Sequence, residues 1–124
     1  LKSTAARLNK GIIAFSPLAQ GLLTDRYLNG IPSDSRVMTD GRFLSVNAIT
    51  EEKLKKVRAL SEIAKERNQT LAEMALAWVL KDGMVNSVLI GASKPSQILD
   101  NIKAIENTSF TSDELERIDK ISLT

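Results

Sequence analysis

The run Gly11-Ile12-Ile13-Ala14-Phe15-Ser16-Pro17-Leu18-Ala19-Gln20-Gly21-Leu22-Leu23 restricts this chain more than any other segment. Ile12, Ile13, Ala14 and Phe15 are apolar in succession rather than alternately, the pattern of a parallel strand covered on both faces. Pro17 and Gly21 then stop any ladder, so the strand delivers a loop. Ligands of parallel sheets sit just past the carboxyl ends of the strands, which makes this turn the first candidate site.

A second strand is predicted over Ser87 to Gly91, around Val88-Leu89-Ile90. A sheet of two parallel strands is too small to stand alone, so neighbouring strands are expected from chain outside this sequence or from another subunit. The first residue, Leu1 rather than Met, agrees with a truncated or incompletely recorded chain.

Among 124 residues, 17 are basic and 15 acidic, which leaves a net charge of +2 with the signs interspersed. No bulk field for nucleic acid follows. The absence of cysteine excludes a disulfide framework and a thiolate site and fits an intracellular, cytoplasmic location. With no histidine, the commonest metal ligand and general base are missing, and no metal site is expected. The longest apolar stretches fall short of the roughly 20 residues that span a bilayer, and residues 1–10 contain no signal peptide.

Capping chemistry outlines the helices. Leu1 to Asn9 reads as the tail of a helix, ended by Lys10-Gly11. A long segment from Ser16 to Thr50 contains Gly21, Gly30, Pro32 and Gly41; such a loop is a functional lid or disordered, with room for a helical turn or two at Leu22 to Leu28. Thr50-Glu51-Glu52 opens a helix whose apolar face is Leu54, Val57, Leu60, Ile63 and Ala64, and Asn68-Gln69 breaks it. Thr70 and Glu73 form a capping box for the next helix, with Leu71, Met74, Ala75, Trp78 and Val79 as its buried stripe and Gly83 as terminator. Pro95 marks the first turn of a further helix with Ile98, Leu99, Ile102 and Ile105 inward. Thr111 and Glu114 cap the last helix, Phe110 stapling to Leu115 and Leu115, Ile118 and Ile121 packing inward.

The chemistry lies at the two strand ends. Gly91-Ala92-Ser93-Lys94-Pro95 gathers a hydroxyl, an ammonium and the open amides of a helix start, the groups that hold a phosphate. Ser16 and the amides of Leu18 to Gly21 form a second cradle, with Arg26 and Arg36 as cationic clamps. Two anion sites on neighbouring strands point to a dinucleotide. Taken singly, Ser93 reads equally as a helix cap, Lys94 as solvated surface and the loop arginines as plain solvated charge.

Phe15-Ser16-Pro17-Leu18-Ala19-Gln20-Gly21-Leu22-Leu23-Thr24, then Gly30-Ile31-Pro32 with Ser35-Arg36, resembles the seventh strand and following loop of aldo-keto reductases. Val88-Leu89-Ile90-Gly91-Ala92-Ser93-Lys94, with Gln97 and Asp100-Asn101, resembles their eighth strand and last barrel helix, and Leu71 to Leu80 is similar to the helix between. The likeness spans essentially the whole chain and leans toward the branch of glyceraldehyde 3-phosphate reductase-like enzymes and potassium-channel beta subunits. It implies an α/β fold, the C-terminal portion of a (β/α)8 TIM barrel comprising strands 7 and 8 with their helices plus a C-terminal helix. Residues 1–124 would then be part of one barrel domain with no internal boundary.

The resemblance also implies NADPH as cofactor. Phe15 takes the place of the aromatic that stacks on the nicotinamide; Ser16, Pro17, Leu18, Gln20 and Gly21 line the pyrophosphate, with Arg26 where the family often has lysine. Arg36 closes over the cofactor, Ser93 and Lys94 meet the adenosine 2′-phosphate, and Gln97, Asp100 and Asn101 hold the adenine end. Three departures stand out: Phe15 lacks the hydroxyl or indole of its counterparts, Gln97 replaces an arginine, and Asp100 is shorter than the usual glutamate. They bear on the choice between NADPH and NADH.

The family's catalytic aspartate, tyrosine, lysine and histidine lie in the amino-terminal part of the barrel, and no catalytic residue is expected here. Tyr27 falls after the seventh strand, away from the catalytic position. The expectation is a parent enzyme that reduces aldehydes or ketones, with this chain inactive alone because carbonyl reduction needs a proton donor as well as a hydride. Its partners would be the small carbonyl substrate and the missing barrel segment or another subunit, with no nucleic acid and no membrane. Two alternatives stay open: a non-catalytic scaffold that assembles through its exposed strand edges, and a helix-turn-helix-like module built from the Thr50 and Thr70 helices.

Overall fold

A computed structural model describes residues 1–15, 17, 18, 23 and 51–123. The elements run α1 (Lys2–Arg7), β1 (Ile13–Ala14), α2 (Glu51–Glu66), α3 (Leu71–Leu80), β2 (Ser87–Val88), α4 (Pro95–Ile102), a 3-10 turn (Lys103–Glu106) and α5 (Ser112–Ser122). Thr50, the Leu22 to Leu28 segment apart from Leu23, and the rest of the long loop apart from Pro17 and Leu18 lie outside the described residues.

Both predicted strands exist, shorter than expected. They pair in parallel, Ile13 opposite Ser87 and Ala14 opposite Val88, and the chain between them carries α2 and α3. Asn86 fixes the register at the strand entrance. Its side-chain oxygen accepts from the Ile12 amide at 2.9 Å and its own amide donates to the Ile12 carbonyl at 2.9 Å. A methyl group added at Gly11 would meet that Asn86 oxygen at 3.3 Å, so the lack of a side chain lets the two segments close.

Three helices make the core. Val57, Ile63 and Ala64 of α2, Leu71 and Met74 of α3 and Ile118 of α5 are buried together, with Leu60, Phe110 and Ile121 packed against them. The caps follow the sequence: the Thr70 hydroxyl accepts from the Glu73 amide, and Thr111 and Glu114 bond reciprocally. Gly83 adopts φ 71°, as a terminator requires. Asn68 leaves α2 in a left-handed conformation, φ 57°, while the Gln69 amide returns to the Ala64 carbonyl.

Four expectations are corrected. Asn9, φ 54°, rather than Lys10-Gly11 ends α1, because its amide and that of Lys10 close back on Ala6 and Ala5. Trp78 is 40% exposed, since it stands on an open apolar groove that it lines with Leu60, Met74 and Ile118, with the Lys81 ammonium 3.9 Å from its ring centroid. Ile98, Leu99, Ile102 and Ile105 face outward, 44 to 69% exposed, because α4 docks on α3 through small and polar residues, with Asn101 and Ala104 buried. Ile13, Phe15 and Leu89 are likewise exposed, since α3 packs against β2 but no described element covers these three side chains.

The helix-turn-helix reading meets a packing obstacle. Six residues of α3, from Leu71 to Met74 together with Leu76 and Ala77, are buried, which leaves only the apolar Ala75, Trp78, Val79 and Leu80 partly open as a recognition face.

Candidate functional site

Parallel pairing sets the carboxyl ends of β1 and β2 on one edge of the sheet, and the Leu89 amide extends the pairing by donating to the Ala14 carbonyl at 2.8 Å. Phe15 leaves β1 at that edge with 78% of its surface exposed, followed by half-buried Pro17 and Leu18. From β2 the chain passes through exposed Gly91, Ala92, Ser93 and Lys94 into α4. Both strand tips therefore open toward the same side. Ser16, Gln20, Gly21, Arg26 and Arg36 lie outside the described residues.

The start of α4 is not an open set of amides. Gln97, one turn in, turns its carbonyl oxygen back to accept from the Ser93 amide at 2.8 Å, the Lys94 amide at 3.3 Å and the Ser93 hydroxyl at 3.4 Å. Lys94, with extended backbone, occupies the N-cap position expected of Ser93. A third-position glutamine thus satisfies the orphan donors of its own helix. An anion arriving here meets the Ser93 hydroxyl and the Lys94 side chain first, and gains the amides only by displacing the Gln97 oxygen.

Asp100 and Asn101 lie on the side of α4 turned to α3. The Thr70 hydroxyl donates to Asp100 Oδ2 at 3.2 Å. Glu73, buried beside them, has its carboxyl pushed above the ordinary carboxylate range, first by burial and then by a hydrogen bond and like charge from Asp100, with hydrogen bonds from Thr70 opposing. Asn101 is buried and lines a groove of about 250 Å³ with Leu76, Leu80, Val88, Ile102 and Ile105.

Arg67 was invisible as a special residue in the sequence. Its side chain is only 2% exposed and meets Glu114 Oε1 at 3.0 Å, the carbonyls of Ser109 and Asn107 at 2.8 and 3.1 Å, and Gln69 Oε1 at 2.9 Å. Its guanidinium also lies 3.8 Å from the Phe110 ring centroid. The one available signal was its spacing, four and three residues past buried Ile63 and Ala64. Burial pushes the Glu114 carboxyl up, but the Thr111 amide and the charge and hydrogen bond of Arg67 outweigh it and hold that group low.

Among the described residues, no group of three or more His, Cys, Asp or Glu side chains is placed to hold a metal ion. No helix among them is long and apolar enough to cross a membrane.

Comparison with known proteins fits these strand ends into a family. Residues 1–123 match the Aldo/keto reductase family. An L-glyceraldehyde 3-phosphate reductase of Escherichia coli is 51% identical over 113 residues, covering 89% of this chain and 33% of the relative. A putative voltage-gated potassium channel subunit beta of Schizosaccharomyces pombe is 41% identical over 115 residues, 90% of this chain and 33% of the relative. The solved structure of a glycerol dehydrogenase from Gluconobacter oxydans superposes with a TM-score of 0.73 at 28% identity, covering 98% of this chain and 36% of that one. The chain thus spans about a third of the length of the relatives it matches.

Proposed function

The chain belongs to the aldo/keto reductase family, and on that premise we propose that it carries the cofactor-binding strand ends of an NADPH-dependent reductase of aldehydes and ketones. The observation that carries this reading is the parallel register of β1 and β2, which aims Phe15 and the Ser93-Lys94 turn at one edge. On this reading the chain is the C-terminal part of one (β/α)8 barrel domain, strands 7 and 8 with their helices plus α5, with no internal boundary.

The residues present fit a phosphorylated dinucleotide. Phe15, exposed on the strand tip, offers a ring to the nicotinamide face. Ser16, Pro17, Leu18, Gln20 and Gly21 line the pyrophosphate, and Arg26 and Arg36 add charge over it. Ser93 and Lys94 take the 2′-phosphate at the start of α4, where the helix dipole favours an anion. Gln97, Asp100 and Asn101 flank the adenine end.

When bound, NADPH supplies the hydride for the carbonyl carbon. This chain's part is to bind and orient the carrier: the apolar strand tips and the ring of Phe15 fix the nicotinamide plane, and the α4 turn anchors the far end. Proton delivery to the carbonyl oxygen belongs to a tyrosine of the amino-terminal barrel segment, so the 124-residue chain reduces nothing alone. The outward apolar face of α4 and the uncovered sheet are where the rest of the barrel, or another subunit, packs. The enzyme works in the cytoplasm on small carbonyl substrates, without nucleic acid or membrane.

The test is reduction of an aldehyde by the full-length protein with NADPH. Lys94→Ala is expected to weaken NADPH binding about tenfold or more, the equivalent of losing one charge-assisted contact of ~1.5–3 kcal/mol, and to affect NADH far less. A full-length protein that binds no nicotinamide cofactor would remove this reading.

A further inference from the structure

One hydroxyl joins the start of α3 to the middle of α4. Thr70 accepts from the Glu73 amide at 3.1 Å and donates to Asp100 Oδ2 at 3.2 Å, across 30 positions of sequence. A hydroxyl has one proton to give, and with a lone pair engaged by the Glu73 amide that proton serves the carboxyls of Asp100 and Glu73, which meet at Thr70. The buried Glu73 carboxyl reaches Asp100 as well.

We infer that Thr70 and Glu73 are positioning residues that hold Asp100, and with it the polar side of α4, in the orientation from which that helix meets the nucleotide. The inference rests on the proposed role of Asp100 at the adenine end. Thr70 and Glu73 touch no cofactor themselves. A carboxylate accepts at about four lone-pair sites, so the contacts from α3 leave Asp100 capacity for a ligand. Gln97 stands one turn before Asp100 on α4, so a displacement of Asp100 also reaches the Ser93 and Lys94 amides that Gln97 closes.

The link is sensitive to pH. Glu73 at the start of α3 and Asp100 on α4 are neighbours, so ionisation of Glu73, whose carboxyl is held above its ordinary range, sets two like charges side by side. Among the described residues, Asp100 is the charged group that acts on Glu73, and Thr70 is its other partner. As pH rises through the raised Glu73 value its proton leaves, the like charges repel, and the hold on Asp100 loosens.

The experiment is NADPH titration and steady-state kinetics of the full-length protein from acidic to alkaline pH. Thr70→Val is expected to raise the KM and Kd for NADPH about fivefold with kcat retained, less than the loss of a direct charged contact, and Thr70→Ser to restore wild-type values. Glu73→Gln, which cannot ionise, should abolish the fall in affinity that wild type shows as pH rises. If Thr70→Val and Glu73→Gln follow wild type at every pH while Lys94→Ala binds weakly, the positioning role is wrong and the cofactor reading survives. Should Thr70→Val fail to fold, the pH profile of Glu73→Gln decides. Absence of NADPH binding in wild type overturns both readings together.

Discussion

Ile63 and Ile102 are the same residue type on helices of one chain, yet the first is 1% exposed and the second 53%. Around Ile63 the α2–α3–α5 layer closes on itself, with Val57, Ala64, Leu71, Met74 and Ile118 as neighbours. Ile102, with Ile98, Leu99 and, in the following 3-10 turn, Ile105, belongs to an apolar face left 44 to 69% exposed, although Ile102 and Ile105 border the groove that Leu76, Leu80 and Val88 line. Full burial of an isoleucine or leucine is worth about 1.5–3 kcal/mol, so three isoleucines and a leucine left largely exposed forgo several. The helical layer closes around its own core, whereas the strand-end region leaves apolar side chains exposed. The proposed cofactor contacts all lie in or beside that second region.

That contrast can be broken by mutation. Ile63→Ala should cost about 3–4 kcal/mol in urea unfolding, through lost transfer energy and the cavity left in a closed core. Arg67→Met should cost about 3 kcal/mol, because it strands the Glu114 carboxylate and the carbonyls of Asn107 and Ser109 that the guanidinium satisfies. Next in size is a pH effect that separates the regions. Glu114, held low by its partners, gives stability that is lost as pH falls through its depressed value, below 4.5. Glu73, pushed up, gives stability present at acidic pH and lost as pH rises from 4.5 through its raised value. Unfolding measured against pH should therefore show a shallower acid limb in Glu114→Gln, with Asp82 still contributing, and a shallower slope on the less acidic side in Glu73→Gln. The smallest effect is expected of Ile102→Ser in the 124-residue chain, within about 0.5 kcal/mol. A loss as large as that of Ile63→Ala would show that the α4 face is covered after all.

The helix boundaries were legible because their signals are local: Thr70, Gly83 and the Thr111–Glu114 box each act within one turn. Both strands and their parallel sense were legible from unbroken apolar runs, although their length was not, since strand length depends on pairing with neighbours that a local apolar run does not report. Helical periodicity marked Ile98, Leu99, Ile102 and Ile105 as one face but carries no information on whether anything covers it. Gln97 was legible as a polar residue near a helix start, yet its backbone-closing geometry depends on a side-chain rotamer. Arg67 and the Thr70–Asp100 link were hidden because their partners are 30 to 47 positions away, and a buried charge is recognised only when those partners arrive.

The most direct test of the account is a crystal structure of the full-length protein with NADPH. The account predicts one cofactor lying across both strand tips, its nicotinamide against Phe15 and its 2′-phosphate within hydrogen-bond distance of the Ser93 hydroxyl and the Lys94 ammonium. A cofactor bound elsewhere, with Phe15 and the Ser93-Lys94 turn packed against protein instead, would contradict it.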